Sequence, residues 1–207
     1  MATIDPSPVA PNHHAHHPGF GGVRGWLAGL TMTVGRGAVA RLAADMAEVG
    51  PDDRVVDVGC GPGTAAREAA RRGAEVTGID PAPVMLTLAR WLTRTASRAS
   101  WIEGTAEALP LLDGTATVLW SISTVHHWAD VDAGLAEVFR VLAPRGRLVA
   151  IERHSQPGAK GLASHGWTDD QAAAFADLCR GGGFTDVGVA SHRAGRKTVL
   201  VVLGTKP

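Results

Sequence analysis

At 207 residues the chain can bury a sizeable apolar core within one α/β domain, and it has no room for a separate substrate domain. Its 20 acidic and 20 basic residues balance to a formal net charge of +0 with no long run of either sign, which excludes recognition of nucleic acid or of a membrane surface by bulk charge. The expected partner is a small molecule, taken up by a monomer or a homodimer. No apolar stretch approaches the roughly 18 residues of a membrane span, and the first residues lack a basic-then-apolar leader pattern. With Cys60 in a glycine loop and Cys179 on a predicted helix, no disulfide framework is expected, and the cytoplasm is the expected compartment.

Residues 1–19 combine Pro6, Pro8, Pro11 and Pro18 with polar residues and show no apolar periodicity, which predicts a flexible arm. His13, His14, His16 and His17 crowd together there. Imidazoles this close can share an ion, but the plainer reading is a solvated tail with no ligand role. From residue 20 onward the chain reads as one domain. Between Val23 and Val49 the apolar residues Trp26, Leu27, Leu30, Val34, Val39, Leu42 and Met46 recur at helical spacing around several glycines, predicting two N-terminal helices over about 20–49, the firmer from Arg36 to Glu48.

Pro51-Asp52-Asp53 is a turn into an apolar strand, Arg54 to Val58. Gly59, Gly61 and Gly63 follow at alternate positions, then an Ala-rich helix from Thr64 to Arg72 stopped by Gly73, then a second strand, Glu75 to Ile79, leading onto Asp80. A right-handed crossover brings the glycine loop and Asp80 to the same sheet edge, where doubly wound folds bind ligands. The glycine spacing is one residue too tight for a G-x-G-x-x-G dinucleotide loop, and no Lys-Ser or Lys-Thr follows as a P-loop requires. Asp57 adds a carboxylate, which repels phosphate and attracts ammonium, while the two oxygens of Asp80 can accept both hydroxyl protons of a ribose. S-adenosylmethionine fits this description: it carries an ammonium, a sulfonium and a ribose, and no phosphate. A nicotinamide-dependent oxidoreductase is the disfavoured alternative.

The run VVDVGCGPGT followed by GID resembles the first two motifs of the class I S-adenosylmethionine-dependent methyltransferases. The later run GTAEALPLLDGTATVLWSISTVHHWADVDAGLAEVFRVLAPRGRLVAIE resembles their type 11 small-molecule branch, so the likeness extends from Arg54 to Glu152. The resemblance implies a Rossmann-like three-layer sandwich around a seven-stranded, mostly parallel sheet whose last strand is antiparallel. It also implies transfer of a methyl group to a small-molecule acceptor by direct in-line displacement. Asp57, Gly59, Cys60, Gly61 and Gly63 would hold the methionine end and Asp80 the ribose. Pro81 and Met85 would lie near the adenine face, with Met85 as plain core left open, and Thr105 and Ala106 would meet the adenine edge. Ser121 would sit on the cofactor-facing end of its strand. Thr105 and Thr117 depart from the pattern, since the family usually places an Asp at or beside each position. A binding or regulatory protein that keeps the pocket without turnover is the non-enzymatic alternative.

Further along, Pro83 to Thr95 has helical spacing, Ser100 to Glu103 is a third strand, and Thr117 to Ile122 is a fourth. Glu107 is expected to anchor a loop. His126 is a candidate general base, and His127 and Trp128 are expected to be structural. A helix from Asp132 to Leu142 leads through the turn Pro144-Arg145-Gly146 to a fifth strand, Arg147 to Ile151. Arg153 to Trp167 is expected to close over the pocket as a loop, offering His154, His165 and Trp167 as candidate substrate contacts, with solvated loop residues as the alternative. Thr168 caps a helix through Arg180, and Phe184 to Ser191 pairs antiparallel with Thr198 to Gly204. No metal ligand is expected in the site.

Overall fold

A computed structural model describes residues 36–93, 98–159 and 164–207. The predicted N-terminal arm with its four histidines and the first N-terminal helix, with Trp26, lie outside the described residues. The elements run α1 Gly37–Met46, β1 Arg54–Val58, α2 Thr64–Arg71, β2 Glu75–Asp80, α3 Pro83–Leu92, β3 Ala99–Glu103 and β4 Ala116–Ile122. A one-turn 3-10 helix, Val125–His127, follows, then α4 Val131–Val141, β5 Leu142–Arg153, α5 Asp169–Gly181, β6 Thr185–Ala194 and β7 Lys197–Thr205.

The strands form one seven-stranded sheet in the order β3-β2-β1-β4-β5-β7-β6. β1 pairs in parallel with β2 and β4, β2 with β3 and β4 with β5, whereas β7 is antiparallel to both β5 and β6. This is the predicted sandwich, with the last strand reversed. Strand order changes direction at β1 and β4, so the carboxyl ends of these two strands flank a crevice.

Alternation along the strands assigns each side chain to one of two cores. Val56 and Val58 of β1, with Leu119, Leu148 and Val202, pack against Leu135 and Val138 of α4 and Phe175 of α5. Val55, Val118, Val149 and Val201 pack on the opposite face, against Val39, Ala43 and Ala44 of α1 and Ala66 and Ala69 of α2. The alanines let the helices approach the sheet closely. α1 and α2 are also tied by Arg72, which reaches Asp45 at 2.6 Å and Glu68 at 3.1 Å.

Two elements differ from the sequence reading. β5 begins at Leu142 rather than Arg147, because the Pro144–Gly146 turn is a bulge carried within the strand: Ala116 pairs with Leu142, and the register shifts before Val118 meets Arg147. Its backbone is satisfied by the far end of the chain, with Arg145 N–H donating to Lys206 O at 2.8 Å and Lys206 N–H to Gly146 O at 2.9 Å. Trp167 is not a loop contact. It is 1% exposed, packs on Phe175 with ring centroids 4.8 Å apart, and belongs to the core beneath α5.

Candidate active site

The loop after β1 is held in a shape open only to glycine at its ends. Gly59 has φ +71, and a Cβ there would lie 2.5 Å from Thr124 Cγ2, so the loop touches the segment after β4. Gly63 has φ +75, and its missing Cβ leaves room for the Trp101 indole, which would otherwise be 2.4 Å away. Gly61 is different: nothing lies within 4 Å of where its Cβ would point, so this stretch of backbone is bare towards open space. The Gly59 and Cys60 N–H groups both donate to Ile79 O, at 2.8 and 3.0 Å, fastening the loop to the end of β2.

Both predicted acids converge on this loop. Asp80 is buried, with Oδ2 accepting from Gly61 N–H at 2.8 Å and Oδ1 from Ala82 N–H at 2.9 Å, so each oxygen keeps a further lone pair for a hydroxyl donor. Burial raises its pKa, opposed by those two backbone bonds. Asp57 shares the face of β1 that carries Val55 and is 2% exposed. Its Oδ2 accepts from Ala66 N–H at 3.1 Å in the first turn of α2, where the N-cap residue Gly63 has no side chain to do so. The acid thus caps the helix from the strand below. Burial pushes the Asp57 carboxyl up to about 7, against the opposing pull of the Trp120 indole and the Ala66 amide, with the neighbouring charge of Asp80 adding to the rise. Trp120 Nε1 itself makes no hydrogen bond of normal geometry.

A cavity of about 30 Å³ adjoins the loop, lined by Arg36, Ala40, Asp57, Gly59, Cys60 and Ile122 among others. Its size suits one or two waters or a small charged group. Arg36 was not foreseen as a site residue. Burial lowers its pKa while the charge of Glu152 raises it, so it is a partly desolvated cation beside an acid.

Cys60 and Cys179 are both free and buried, and burial raises both thiols, Cys179 to about 12. Met85 is buried in α3, Pro81 is exposed, Thr105 is exposed and Ala106 is buried in the core. Ser121 is fully buried; its hydroxyl meets Thr124 Oγ1, which donates to Val58 O at 3.0 Å, so it stitches β4 to β1. Glu107 is the expected anchor, accepting from Ala129 N–H at 2.6 Å and Asp130 N–H at 3.3 Å. Thr117, which stands where the family pattern has an acid, donates to Asp53 Oδ1 at 2.7 Å and accepts from Arg54 N–H at 3.0 Å, a structural post far from the loop.

His126 stands just beyond the Thr124 contact, on the 3-10 turn. Its Nδ1 lies 2.9 Å from Glu152 Oε2, and Glu152, at the end of β5, is 1% exposed. A carboxylate accepts, so Nδ1 is the donor and the lone pair is left on Nε2, which is buried with no hydrogen-bond partner among the described residues. The sequence reading found His126 and missed Glu152. An acid ending an apolar strand was the available signal, the same one that drew attention to Asp80.

Residues 56–150 match a family described as a methyltransferase domain, of type 11. The match takes in the glycine loop, both acids and His126, and stops just short of Glu152. The chain is 38% identical over 129 residues to demethylmenaquinone methyltransferase from Thermus thermophilus, an alignment covering 59% of this chain and 57% of that protein. It is 36% identical over 112 residues to the Tropheryma whipplei demethylmenaquinone methyltransferase, covering 54% of this chain and 46% of that one. The chain therefore spans about half the length of these curated relatives. The fold is similar to that of a SAM-dependent methyltransferase from Aquifex aeolicus, with TM-score 0.74, 16% identity, and 87% of this chain and 98% of that chain covered.

Proposed function

We propose that the chain is an S-adenosylmethionine-dependent methyltransferase acting on a small-molecule acceptor. The observation that carries this is the bare Gly61 backbone between two buried acids, Asp57 and Asp80, with no lysine among the residues lining the adjoining cavity. A phosphate on the loop would face the buried carboxyls of Asp57 and Asp80, with Arg36 the one cation on the cavity lining. An amino acid end fits better, because Arg36 and Asp57 line one small cavity and offer a cation for a carboxylate and an acid for an ammonium. Asp80 has lone pairs left for ribose hydroxyls, and Pro81, Met85, Thr105 and Ala106 are the residues assigned to the adenine. When bound, S-adenosylmethionine supplies a methyl group on a sulfonium, open to direct displacement.

The residues of this chain then position and exclude water, which is most of what such a displacement needs. His126, with Nδ1 held by Glu152, presents Nε2 to take a proton from a hydroxyl, amine or carbon acid at the sheet edge. The relatives named for demethylmenaquinone support a small-molecule acceptor. All described strands share one sheet, which supports the single-domain reading of residues 20–207. The reading is of a cytoplasmic enzyme working as a monomer or homodimer without nucleic acid or membrane partners; separately, among the described residues no helix is long and apolar enough to cross a membrane.

Calorimetry with S-adenosylmethionine, S-adenosylhomocysteine and NADPH tests the pocket. Saturable heat with the first two and none with the third is expected, and uptake of NADPH alone would overturn the reading. Mass spectrometry of a metabolite extract incubated with a labelled methyl donor then finds the acceptor; cofactor binding with no labelled product would leave a binding protein.

A further inference from the structure

We infer that His126, His127 and His165 form a binding site for one divalent transition-metal ion of the zinc, cobalt or nickel kind, at the acceptor side of the cofactor crevice. The binding itself is independent of the methyltransferase reading; only the ion's place beside the acceptor rests on it. The three imidazoles come from two separate segments, the turn after β4 and the chain before α5, and no sequence motif joins them. Their ring centroids lie 4.0, 5.6 and 5.9 Å apart, and one nitrogen from each lies within 4.8 Å of the other two. A tetrahedral ion with about 2.0–2.1 Å bonds needs its nitrogens roughly 3.3 Å apart. Small ring movements close that difference, and His127 is exposed while His165 is only half-buried.

A second, independent observation points the same way. His126 Nε2 is buried and has no partner among the described residues, although an unmet buried polar atom costs about 1–3 kcal/mol. The opposite ring nitrogen is held by a carboxylate that is itself 1% exposed, at 2.9 Å. A carboxylate fixing one nitrogen so that the other presents its lone pair is how metal-binding imidazoles are commonly oriented. The ligand set decides the ion: three neutral imidazoles suit zinc, cobalt or nickel and are too soft for magnesium or calcium.

Three protein ligands leave a coordination position open, as in catalytic rather than structural zinc sites. The site lies at the carboxyl ends of β4 and β5, and Thr124, two residues before His126, packs against Gly59 of the cofactor loop. An ion held there would lie beside the crevice, where an acceptor oxygen, nitrogen or thiol would be brought to the methyl group. The Nε2 lone pair that accepts a proton in the metal-free protein is the one that would hold the ion, so the two roles of His126 exclude each other.

The N-terminal histidines must be removed from the measurement. The full chain, untagged and with His13, His14, His16 and His17 each changed to Gln, is stripped with chelator and titrated with Co²⁺ and then Zn²⁺. One Co²⁺ per chain is expected, with the visible absorption of a four- or five-coordinate ion that Zn²⁺ displaces. His165→Gln and His127→Gln should each weaken binding at least tenfold, and Glu152→Gln should weaken it about 10–100-fold through ring positioning. Far-UV circular dichroism and the melting temperature of each variant separate lost binding from lost folding, and the half-buried His165 is the variant expected to fold normally. No saturable binding in the parent, or equal affinity in the His165→Gln and His127→Gln proteins, would overturn the site. S-adenosylmethionine calorimetry on the same samples keeps the two readings apart: ion binding without cofactor binding sinks the methyltransferase and leaves the metal site standing.

Discussion

Asp57 shows how one residue serves two purposes at a cost to the fold. Its carboxyl caps α2 from below and lines the cavity beside the loop, yet burial raises its pKa from 3.8 to about 7. The folded state therefore binds the proton more tightly than the unfolded one. Stability from this group is fully present below about pH 4 and is lost as pH rises towards 7, a total of up to about 4 kcal/mol for a shift of this size. Asp57→Asn keeps an oxygen for the Ala66 amide and carries no charge. It should raise the unfolding free energy at pH 8 by as much as a few kcal/mol in urea titrations, while weakening S-adenosylmethionine binding at least tenfold. In the unaltered protein the ammonium needs the ionised acid, so cofactor affinity should fall about tenfold per unit as pH drops below about 7. Calorimetry across that range checks the slope. A second residue prediction concerns shape: Gly59→Ala demands a left-handed alanine with its Cβ 2.5 Å from Thr124, so a loss of about 2 kcal/mol or more and of cofactor binding is expected, read by denaturation and by calorimetry.

At the scale of elements, local signals worked where the partner lay nearby in sequence. Thr168 accepts from Gln171 N–H, and the Gln171 side chain accepts from Thr168 N–H at 2.9 Å, a full capping box that starts α5 within a residue of its expected position. Thr168→Ala should lower stability by about 1 kcal/mol with unchanged cofactor affinity, measured by thermal unfolding and calorimetry together. β5 shows the opposite case. Its first residues read as a turn because Pro144 and Gly146 are turn formers, and the strand continues through them only because Lys206, at the far end of the chain, supplies the missing backbone partners. Trp167 was misplaced for a related reason: it sits in a polar stretch, and only the packing of α5 shows that its ring covers Phe175 in the core.

For the whole molecule, the crevice exists because the strand order turns at β1 and β4, so cofactor binding should stabilise the entire sheet and not the loop alone. At a concentration about 100 times its dissociation constant, S-adenosylmethionine should add about 2.7 kcal/mol to the unfolding free energy, seen as a single cooperative rise in melting temperature. The rise at fixed cofactor should be larger at pH 8 than at pH 6, because Asp57 is then ionised without help. The β-loop-α-β unit, the glycine positions, both acids and the succession of strands and helices were legible along the chain, since each rests on periodicity, turn chemistry or a motif carried by neighbouring residues. Folding alone brings Arg36 to Asp57 at one cavity, sets Glu152 against His126, and carries His165 to the His126–His127 pair. Those contacts join residues 21, 26 and 39 positions apart through folding of the sheet. No spacing rule along a chain encodes a distance that is fixed by how separate strands end at one edge.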